Sequence, residues 1–567
     1  MHRRTRTLYV LAAVATAVAL SSPIHAQGVI AVPSTVTDRI QEILPEQSND
    51  GAAFVSEVYS PNLVVTERAT VDVVFLWEGA GYRNSLGWFL FDERLDGSVR
   101  VTERGLLIPD ASLPSPAAIG LRVTLADEFG QPRIFDPGDH VGFFVVADGW
   151  NRESRIRAWD PTTTSIPASD ANANAGFGRG CYTSVSRVNP ENGRGRPDLA
   201  RHCAMIDMPG VPGFLDGERY LMTGFEDLNR AEGSDDDFND LVFVVQSTPI
   251  EAIAETPAFR YDPDDADGDG VSGLDDHYPD DPERATVTRI PSHGVTILGL
   301  EDEYPSVGDA DYNDCVVGYV FEIVTDANGA VKDVLGTFHL LARGSVHNHG
   351  FGLHLPGLPT DATGTVRIER FLSDPAASHQ VVAPRDVATV VTRDARRIAD
   401  VIPYTMFALP ADHEETRFAN TEGAPVTPAA SARVHVEFTT AIDAATLGTA
   451  PFDPFFQIHR GGIRDVHLPG HEGFADREAG LPTESGAESF LDANGYPFVI
   501  EIPTSWRFPL ERIHVANAFP DFGAWRASAG ASQRDWYLRP NANTAMVSAP
   551  VEDNVPARNW TVTLPAR

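Results

Sequence analysis

Two acidic segments of the chain share one pattern, and each runs directly into an apolar stretch. The first reads FEDLNRAEGSDDDFND over residues 225–240 and continues into Leu241–Val245. The second reads LEDEYPSVGDADYND over residues 300–314 and continues into Cys315–Val317. The recurrence indicates an internal repeat, and an apolar, β-branched run between turn signals is typical of a buried strand. The chain must therefore fold so that two carboxylate-rich loops end at buried strands.

Turn-forming residues are frequent throughout the chain. Its 567 residues include 47 Gly and 42 Pro, so one of the two occurs about once in every six positions, which disfavours long helices. Segments such as Val434–Phe438 and Val366–Ile368 alternate apolar and polar residues, as strands with one wet face do. The sequence predicts an all-β chain of two β-sandwich, jelly-roll-like domains, with few short helices at residues 386–402 and 513–529.

The N-terminus has the composition of a secretory signal peptide: a basic start, an apolar run and small residues before Ala26. No cysteine sits at the predicted cut, so a lipobox is lacking, and no later apolar run approaches the roughly 20 residues of a membrane helix. These features predict a secreted or cell-surface protein, and a periplasmic location stays open. The predicted parts are a signal peptide (1–26), an N-terminal β domain (27–250), an Asp/Gly/Pro-rich linker (251–284) and a C-terminal β domain (285–567).

The charge of the chain restricts its partners. With 44 Lys and Arg against 80 Asp and Glu, the formal net charge is −36. Nucleic acids and anionic membrane surfaces attract basic patches, so neither is an expected partner. Calcium ions are the expected partner, with an extracellular glycan or a surface protein as further candidates.

The linker contains a twelve-residue pattern of calcium loops. Carboxylates at positions 1, 3, 5 and 12 around a Gly at position 6 supply the hard oxygen ligands that Ca²⁺ prefers, and position 7 supplies a backbone carbonyl. Position 12 is Asp rather than Glu, and no amphipathic helices flank the loop, so the pattern is closer to thrombospondin type 3 calcium repeats than to an EF-hand. The alternative is a solvated acidic linker. The predicted ligands are Asp265, Asp267, Asp269, Val271 and Asp276.

The two repeated segments predict further Ca²⁺ sites. Crowded carboxylates raise one another's pKa unless a cation compensates, and Asp and Asn oxygens without nearby Cys favour Ca²⁺ over zinc or copper. The alternative is an acidic turn that hydrogen-bonds to its own backbone. The predicted ligands are Glu226, Asp227, Asp235, Asp237, Asn239 and Asp240 in the first segment, and Glu301, Asp302, Asp309, Asp311, Asn313 and Asp314 in the second.

The three cysteines allow one disulfide at most. Cys181 and Cys203 flank a loop rich in Gly, Asn and Arg, and the sequence predicts that they pair. Cys315 lies inside an apolar run and is predicted to be a buried small hydrophobe.

Several other groups of residues are weaker signals. Six histidines could converge on a transition metal, although exposed or hydrogen-bonded imidazoles are the simpler expectation. The loop Gly79–Gly87 has a sugar-binding composition with Tyr82, Arg83 and Asn84, and is equally typical of a hairpin turn. No HExxH, GxSxG, Walker or dinucleotide motif occurs, so no enzymatic activity is predicted. The six histidines are His347, His349, His354, His459, His467 and His471.

The linker and the second acidic segment together resemble the LruC-type domain family of exported bacterial proteins. Residues 79–92 and the first acidic segment are similar to an exported domain of unknown function that often precedes it. The resemblance implies a secreted or cell-surface bacterial protein without an established enzymatic activity. The extra His349 and the missing lipobox depart from the family pattern. Further similar blocks are HNHGFGLHLP (347–356), DVHLPG (465–470), NGYPFVIEIP (494–503) and FGAW (522–525).

These observations predict a secreted, non-enzymatic calcium-binding protein in which Ca²⁺ rigidifies acidic loops and a linker, with an adhesive, surface or matrix role. Two other functions stay open. One is a polysaccharide-active hydrolase that uses a pair of the acids, and the other is a lectin-like module in which Ca²⁺ coordinates sugar hydroxyls.

Overall fold

The computed structural model describes most of the chain between residues 26 and 548. The described ranges are 26–46, 53–56, 58–93, 99–113, 117–127, 130–150, 165–166, 180–193, 196–253, 258–292, 294–345, 347–373, 388–391, 397–403, 429–475, 479–502 and 506–548. Residues 1–25 of the predicted signal peptide lie outside these ranges.

Strands dominate the described residues, so the predicted all-β fold class is confirmed. The strands, β1 to β25 in chain order, are Ala26–Val29, Leu63–Val64, Thr70–Trp77, Ser85–Glu93, Val99–Ile108, Leu121–Thr124, His140–Val146, Ser165–Ile166, Cys181–Thr183, Cys203–Met208, Tyr220–Phe225, Leu241–Thr248, Phe259–Arg260, Thr286–Ile290, Thr296–Leu300, Cys315–Thr325, Val331–Arg343, Asn348–His354, Gly364–Ser373, Ala388–Val391, Arg397–Ile402, Ala429–Ile442, Asp453–His459, Ile463–His467 and Val499–Ile502.

The helices of the described residues are short. The α-helices α1 to α5 are Ser34–Ile43, Pro190–Gly193, Ala444–Leu447, Val515–Ala518 and Phe522–Ala527. The 3₁₀-helices are Ala53–Val55, Ser186–Val188, Pro197–Leu199, Leu215–Gly217, Ile250–Ile253, Gly273–Asp275, Trp536–Leu538 and Thr544–Met546.

The first half of the chain forms two packed sheets. Sheet 1 has the strand order β1-β6-β3-β12-β11-β10-β13, and sheet 2 has the order β2-β7-β4-β5-β8 with β9 paired to β7. The rings of Phe143 in sheet 2 and Phe243 in sheet 1 lie 5.2 Å apart in the core between the sheets. Helix α1 covers the other face of sheet 1 with Val36 and Ile40. Alternate residues of a strand face opposite sides of the sheet. Both faces of sheet 1 are covered by apolar clusters, so β3 carries apolar side chains on both of its faces.

The second half repeats this arrangement with different strands. Sheet 3 has the order β20-β19-β22-β17-β16-β15-β25 with β14 paired to β16, and sheet 4 has the order β21-β18-β23-β24. Phe338 of sheet 3 and Phe351 of sheet 4 pack at 5.2 Å in the core between them. Trp506, Trp536 and helices α4 and α5 cover the outer face of sheet 3.

The linker between β13 and β14 packs against both halves. The ring of His277 contacts the rings of Tyr59 and Phe259 in the first half at 5.9 and 5.6 Å. Tyr278 instead packs on Val287 and other apolar residues of sheet 3. The segment that carries the predicted calcium loop therefore has one side chain against each half of the molecule.

Two local predictions are wrong. The predicted Cys181–Cys203 disulfide does not form, because both residues are buried thiols on strands of different sheets. Cys181 begins β9 in sheet 2 and Cys203 begins β10 in sheet 1, and each packs into a different apolar cluster.

The predicted helix over residues 386–402 is also wrong. Its described parts are the strands β20 and β21, at the edges of sheets 3 and 4. The second predicted helix, over residues 513–529, is divided into α4 and α5 by the segment that contains Pro520. Proline lacks the amide hydrogen that a helix interior requires.

No helix among the described residues is long and apolar enough to cross a membrane.

Candidate metal centres

The linker loop folds around its own carboxylates. Asp265 accepts hydrogen bonds from the backbone amides of Gly268 at 2.8 Å and Gly270 at 3.1 Å. Both glycines have positive φ angles, +81° and +96°, which residues with a side chain rarely adopt. Carboxylate oxygens of Asp265, Asp267 and Asp269 come within 4.8 Å of one another. The loop therefore turns three of its predicted ligands toward a common volume.

Three carboxylate oxygens of this loop are buried without a hydrogen-bond donor. They are the Oδ2 atoms of Asp267, Asp269 and Asp276. Asp276 is 1% exposed, and its Oδ1 accepts the amide of Tyr278 at 2.8 Å. Burying an ionised carboxylate oxygen without a partner costs several kcal/mol of folding free energy, unless the pKa of the carboxyl group rises so that the group becomes neutral. A cation bound in the loop would remove that cost.

The two repeated acidic segments form the loops of equivalent hairpins. The first connects β11 to β12, which pair so that Phe225 lies opposite Leu241. The second connects β15 to β16, which pair so that Leu300 lies opposite Cys315. We name them hairpin loop 1 (residues 226–240) and hairpin loop 2 (residues 301–314). They lie in sheets 1 and 3, one in each half of the chain.

The same hydrogen bonds fix both hairpin loops. The first glutamate accepts the amide of the aromatic residue: Glu226 from Phe238 at 2.7 Å, and Glu301 from Tyr312 at 2.6 Å. The last aspartate accepts the amide of the residue after that glutamate. This second bond joins Asp240 to Asp227 at 2.8 Å and Asp314 to Asp302 at 2.9 Å.

The backbone conformations of the two loops also correspond. Asp236 and Phe238 have φ angles of +58°, and Ala310 and Tyr312 have φ angles of +57° and +55°. Two left-handed residues separated by one position are unusual outside glycine. The sequence repeat is thus also a repeat of backbone structure. This holds although the stretch between the first glutamate of each loop and its DxDxND block is one residue longer in hairpin loop 1 than in hairpin loop 2.

Each hairpin loop gathers three carboxylates whose oxygens lie within 4.8 Å of one another. In hairpin loop 2 they are Glu301, Asp309 and Asp311. In hairpin loop 1 they are Asp235, Asp237 and Glu46, a residue that follows helix α1. Sequence analysis missed Glu46 because it lies almost two hundred positions away from the loop.

The segment that carries Glu46 has a counterpart in the second half. The side-chain amide of Asn239 donates to the carbonyl of Leu44 at 3.3 Å, and that of Asn313 donates to the carbonyl of Pro509 at 3.0 Å. A glutamate lies two residues after each accepting carbonyl, and these are Glu46 and Glu511. The charges of Glu46 and Glu511 raise the pKa values of the equivalent Asp237 and Asp311. We name residues 44–46 and 509–511 the two straps.

Each of the three loops contains at least two carboxyl groups with raised pKa values. Burial raises the pKa of Asp237 to about 7, and Asp235 adds to the rise. Burial likewise raises the pKa of Asp311 to about 7, together with Asp309. In the linker, burial raises the pKa of Asp276 to about 6. The negative charges thus lack sufficient positive compensation from the protein itself.

Other predicted ligands brace the loops instead of joining these groups of three. Asp227 accepts the side-chain amide of Asn84 at 2.6 Å, and Asp302 faces His349 Nε2 at 2.9 Å. Burial alone would raise the pKa of Asp302, but the contact with His349 outweighs it and lowers that pKa. The further residues outside the groups are Glu226, Asn239, Asp240, Asn313 and Asp314, and the role of Val271 as a carbonyl ligand stays a prediction.

The six histidines that could share a transition metal are separated. Three of them, His354, His467 and His471, surround the buried carboxylate of Asp453 at 2.7, 2.8 and 3.2 Å. Burial alone would raise the pKa of Asp453, but these imidazoles outweigh it and hold the pKa at about 2. The others lie elsewhere: His349 faces Asp302, His347 lies beside Glu303, and His459 pairs with Asn348 in the sheet.

Comparison with known proteins gives two family matches. Residues 329–537 match a domain of unknown function, DUF4842. Residues 135–248 match a second domain of unknown function, DUF4114, and this match contains hairpin loop 1. The sequence predicted an exported domain of unknown function followed by an LruC-type domain; the two matches show domains of unknown function in both halves, and the LruC-type assignment stays a prediction.

No curated protein matches the chain significantly. Among solved structures, a putative lipoprotein from Bacteroides ovatus shares 16% identity with a TM-score of 0.36, covering 61% of this chain and 90% of that one.

Proposed function

We propose that the chain is an exported, non-enzymatic calcium-binding protein with an adhesive, surface or matrix role. The observation that carries the calcium assignment is the buried, donor-free Oδ2 of Asp276, a group whose pKa is raised first by burial and then by the charges of Asp267 and Asp269. Ca²⁺ is favoured over softer metals because every side-chain ligand of the loop is a carboxylate. The composition of the first 26 residues supports export.

Hairpin loops 1 and 2 are proposed as two further calcium sites. Their carboxylates would bind Ca²⁺ together with the straps, so that each ion would join a hairpin to a segment distant in sequence. Each group gathers three carboxylates whose oxygens lie within 4.8 Å of one another, whereas a glycosidase uses a pair of acids. This grouping of three supports ion binding over the alternative of a hydrolase.

In the linker, the proposed ion would connect the two halves. It would bind Asp276 together with the start of the loop, and Asp276 is followed directly by His277 and Tyr278. His277 contacts the first half and Tyr278 contacts sheet 3. Calcium would therefore fix the linker that both halves pack against, which suits an elongated surface or matrix protein.

Calorimetric titration tests the linker site. We expect metal-free wild-type protein to bind Ca²⁺ at up to three sites, and the Asp267→Ala/Asp269→Ala variant to bind one ion fewer. The matched control is Asp262→Ala/Asp264→Ala, which removes two aspartates just before the loop. Equal stoichiometry in the wild type and the Asp267→Ala/Asp269→Ala variant would rule out the linker as a site.

The straps give a separate prediction. Glu46→Gln and Glu511→Gln keep the shape of the side chain but remove one charge, so each should weaken one calcium site about tenfold and leave the linker site unchanged. Glu218→Gln, which changes an exposed glutamate outside the three groups of carboxylates, is the control. Unchanged affinities in both strap variants would show that the straps supply no ligand.

A further inference from the structure

Two exposed aromatic residues of the first half of the molecule are linked through one backbone segment. Tyr82 is 40% exposed and Trp150 is 46% exposed. Every other aromatic side chain in the described part of the chain is buried or only partly exposed. Burying such a ring typically stabilises a protein by about 1.5–3 kcal/mol. Their joint exposure at one place therefore indicates a binding surface.

Arg83 directly follows Tyr82 in the sequence and contacts Trp150. The backbone amide of Trp150 donates to the carbonyl of Arg83 at 3.1 Å. The guanidinium of Arg83 lies 5.7 Å from the centre of the Trp150 ring, and it also pairs with the buried carboxylate of Asp110. Both aromatic residues are thus attached to one short backbone segment, and the arginine is held in a fixed orientation between partners.

The segment beneath this surface is anchored to hairpin loop 1. Asn84 is fully buried. Its side-chain NH₂ group donates to the carboxylate of Asp227 at 2.6 Å, and its side-chain oxygen accepts the backbone amide of Asp148 at 3.0 Å. The amide of Gly79 donates to the carbonyl of Asn239, and a Cβ at Gly79 would lie 2.1 Å from Asn239 Oδ1. The surface is therefore preorganised, which lowers the entropic cost of binding.

We propose that Tyr82, Arg83 and Trp150 form a binding site for a neutral glycan. A sugar ring has an apolar face of C–H groups and a rim of hydroxyls. The aromatic rings provide flat apolar surfaces with polar edges, and the half-exposed guanidinium of Arg83, held by the buried Asp110, provides donors for hydroxyls. This site goes beyond the calcium-binding function and does not require that an ion contact the sugar.

The surroundings argue against other ligands. A stable protein interface buries about 800 Å² on each partner, whereas the exposed apolar side chains here are Tyr82, Trp150 and the nearby Leu228. Within the described residues of this surface, Arg83 is already paired with Asp110, and the chain carries a net charge of −36. An acidic glycan or an anionic membrane would therefore be repelled.

Affinity gel electrophoresis of the full chain tests the proposal. The gels contain mixed-linkage β-glucan, galactomannan or dextran as neutral probes, and alginate as the acidic probe. We expect at least one neutral probe to retard the wild type. Trp150→Ala and Tyr82→Ala should each weaken that retardation at least tenfold. Leu538→Ala, which removes an exposed apolar side chain of the second half, should migrate like the wild type.

Three results would overturn the proposal: no retardation by any neutral probe, equal retardation of wild type and Trp150→Ala, or retardation by alginate alone. Analytical ultracentrifugation adds a fourth, because self-association that Trp150→Ala abolishes would assign the surface to a second copy of the chain. Repeating the gels in EGTA separates this proposal from the calcium sites. Retention in EGTA by a protein that binds no Ca²⁺ would support the glycan site and refute the calcium proposal.

Discussion

Calcium is expected to stabilise the protein strongly at pH 8 and only weakly at pH 4.5. An ion that binds the folded state alone adds RT ln(1 + [Ca²⁺]/Kd), about 1.4 kcal/mol per site at 1 mM Ca²⁺ and a Kd of 10⁻⁴ M. Three proposed sites together would add about 4 kcal/mol. Because their ligands are in different halves, the melting temperatures of both halves should rise by several degrees.

The pH dependence follows from the raised pKa values. Folding raises the pKa of Asp276 to about 6 and those of Asp237 and Asp311 to about 7, against about 3.9 in an unfolded chain. The folded metal-free protein therefore binds more protons than the unfolded chain between pH 4 and 7, and it loses stability as the pH rises through that window. Bound Ca²⁺ favours the ionised carboxylates and cancels this loss.

The measurement is the difference in melting temperature between samples in Ca²⁺ and in EGTA, taken across pH 4.5 to 8. The difference is required because other groups titrate in the same window. Burial lowers the pKa of His277 to about 4, which by itself makes the protein more stable as the pH rises, with or without calcium. A calcium effect that stays constant across this pH range, or is absent at pH 8, would contradict the prediction.

The Asp276→Asn variant tests directly whether the charge of this carboxylate destabilises the metal-free protein. The variant keeps the oxygen that accepts the Tyr278 amide and replaces the donor-free, charged oxygen by a neutral amide. At pH 8 the metal-free variant should melt at a higher temperature than the metal-free wild type, and its gain from calcium should be smaller. A group with a purely structural role would give the opposite result, because its removal would destabilise the protein in both conditions.

The linker loop could be predicted from the sequence because its ligands are local. Asp265, Asp267, Asp269 and Asp276 lie in one short segment that turns at Gly268 and Gly270. Their spacing in the sequence is therefore enough to predict the loop, without knowledge of the tertiary structure. The hairpin loops were likewise visible as a repeat. Their equivalent hydrogen bonds and left-handed residues became apparent only from the structure, because they depend on how each loop closes between paired strands.

The residues that sequence analysis missed or misassigned depend on non-local packing. Glu46 joins the carboxylates of hairpin loop 1, and the charge of Glu511 acts on Asp311, where Asn239 and Asn313 bind the straps. A weak signal exists in the similar tripeptides LPE and PLE, but it is too short to recognise alone. The cysteine pairing is wrong for the same reason, since the strands that begin at Cys181 and Cys203 belong to different sheets.

Gly299→Ala and Gly224→Ala are expected to destabilise the halves that contain them by about 3 kcal/mol each. A Cβ at Gly299 would lie 2.7 Å from the carbonyl oxygen of Tyr312, and a Cβ at Gly224 would lie 2.3 Å from that of Phe238. In each hairpin the glycine two residues before the first glutamate thus allows the loop backbone to approach the strand. Because the obstructing atom is backbone, a side-chain rearrangement cannot relieve the contact.

The two glycine variants separate packing from ion binding. Urea denaturation in EGTA reports the loss of stability, and Gly224→Ala should lose more because its contact is closer. A displaced loop also moves the carboxylates apart, so each variant should lose calcium affinity in its own hairpin loop and keep it in the linker. Gly523→Ala is the control, because a Cβ at this position in α5 meets no atom within 4 Å and alanine favours a helix. Wild-type stability of Gly299→Ala and Gly224→Ala would show that the loops do not require this close approach, and the structural basis for two equivalent calcium sites would then fail.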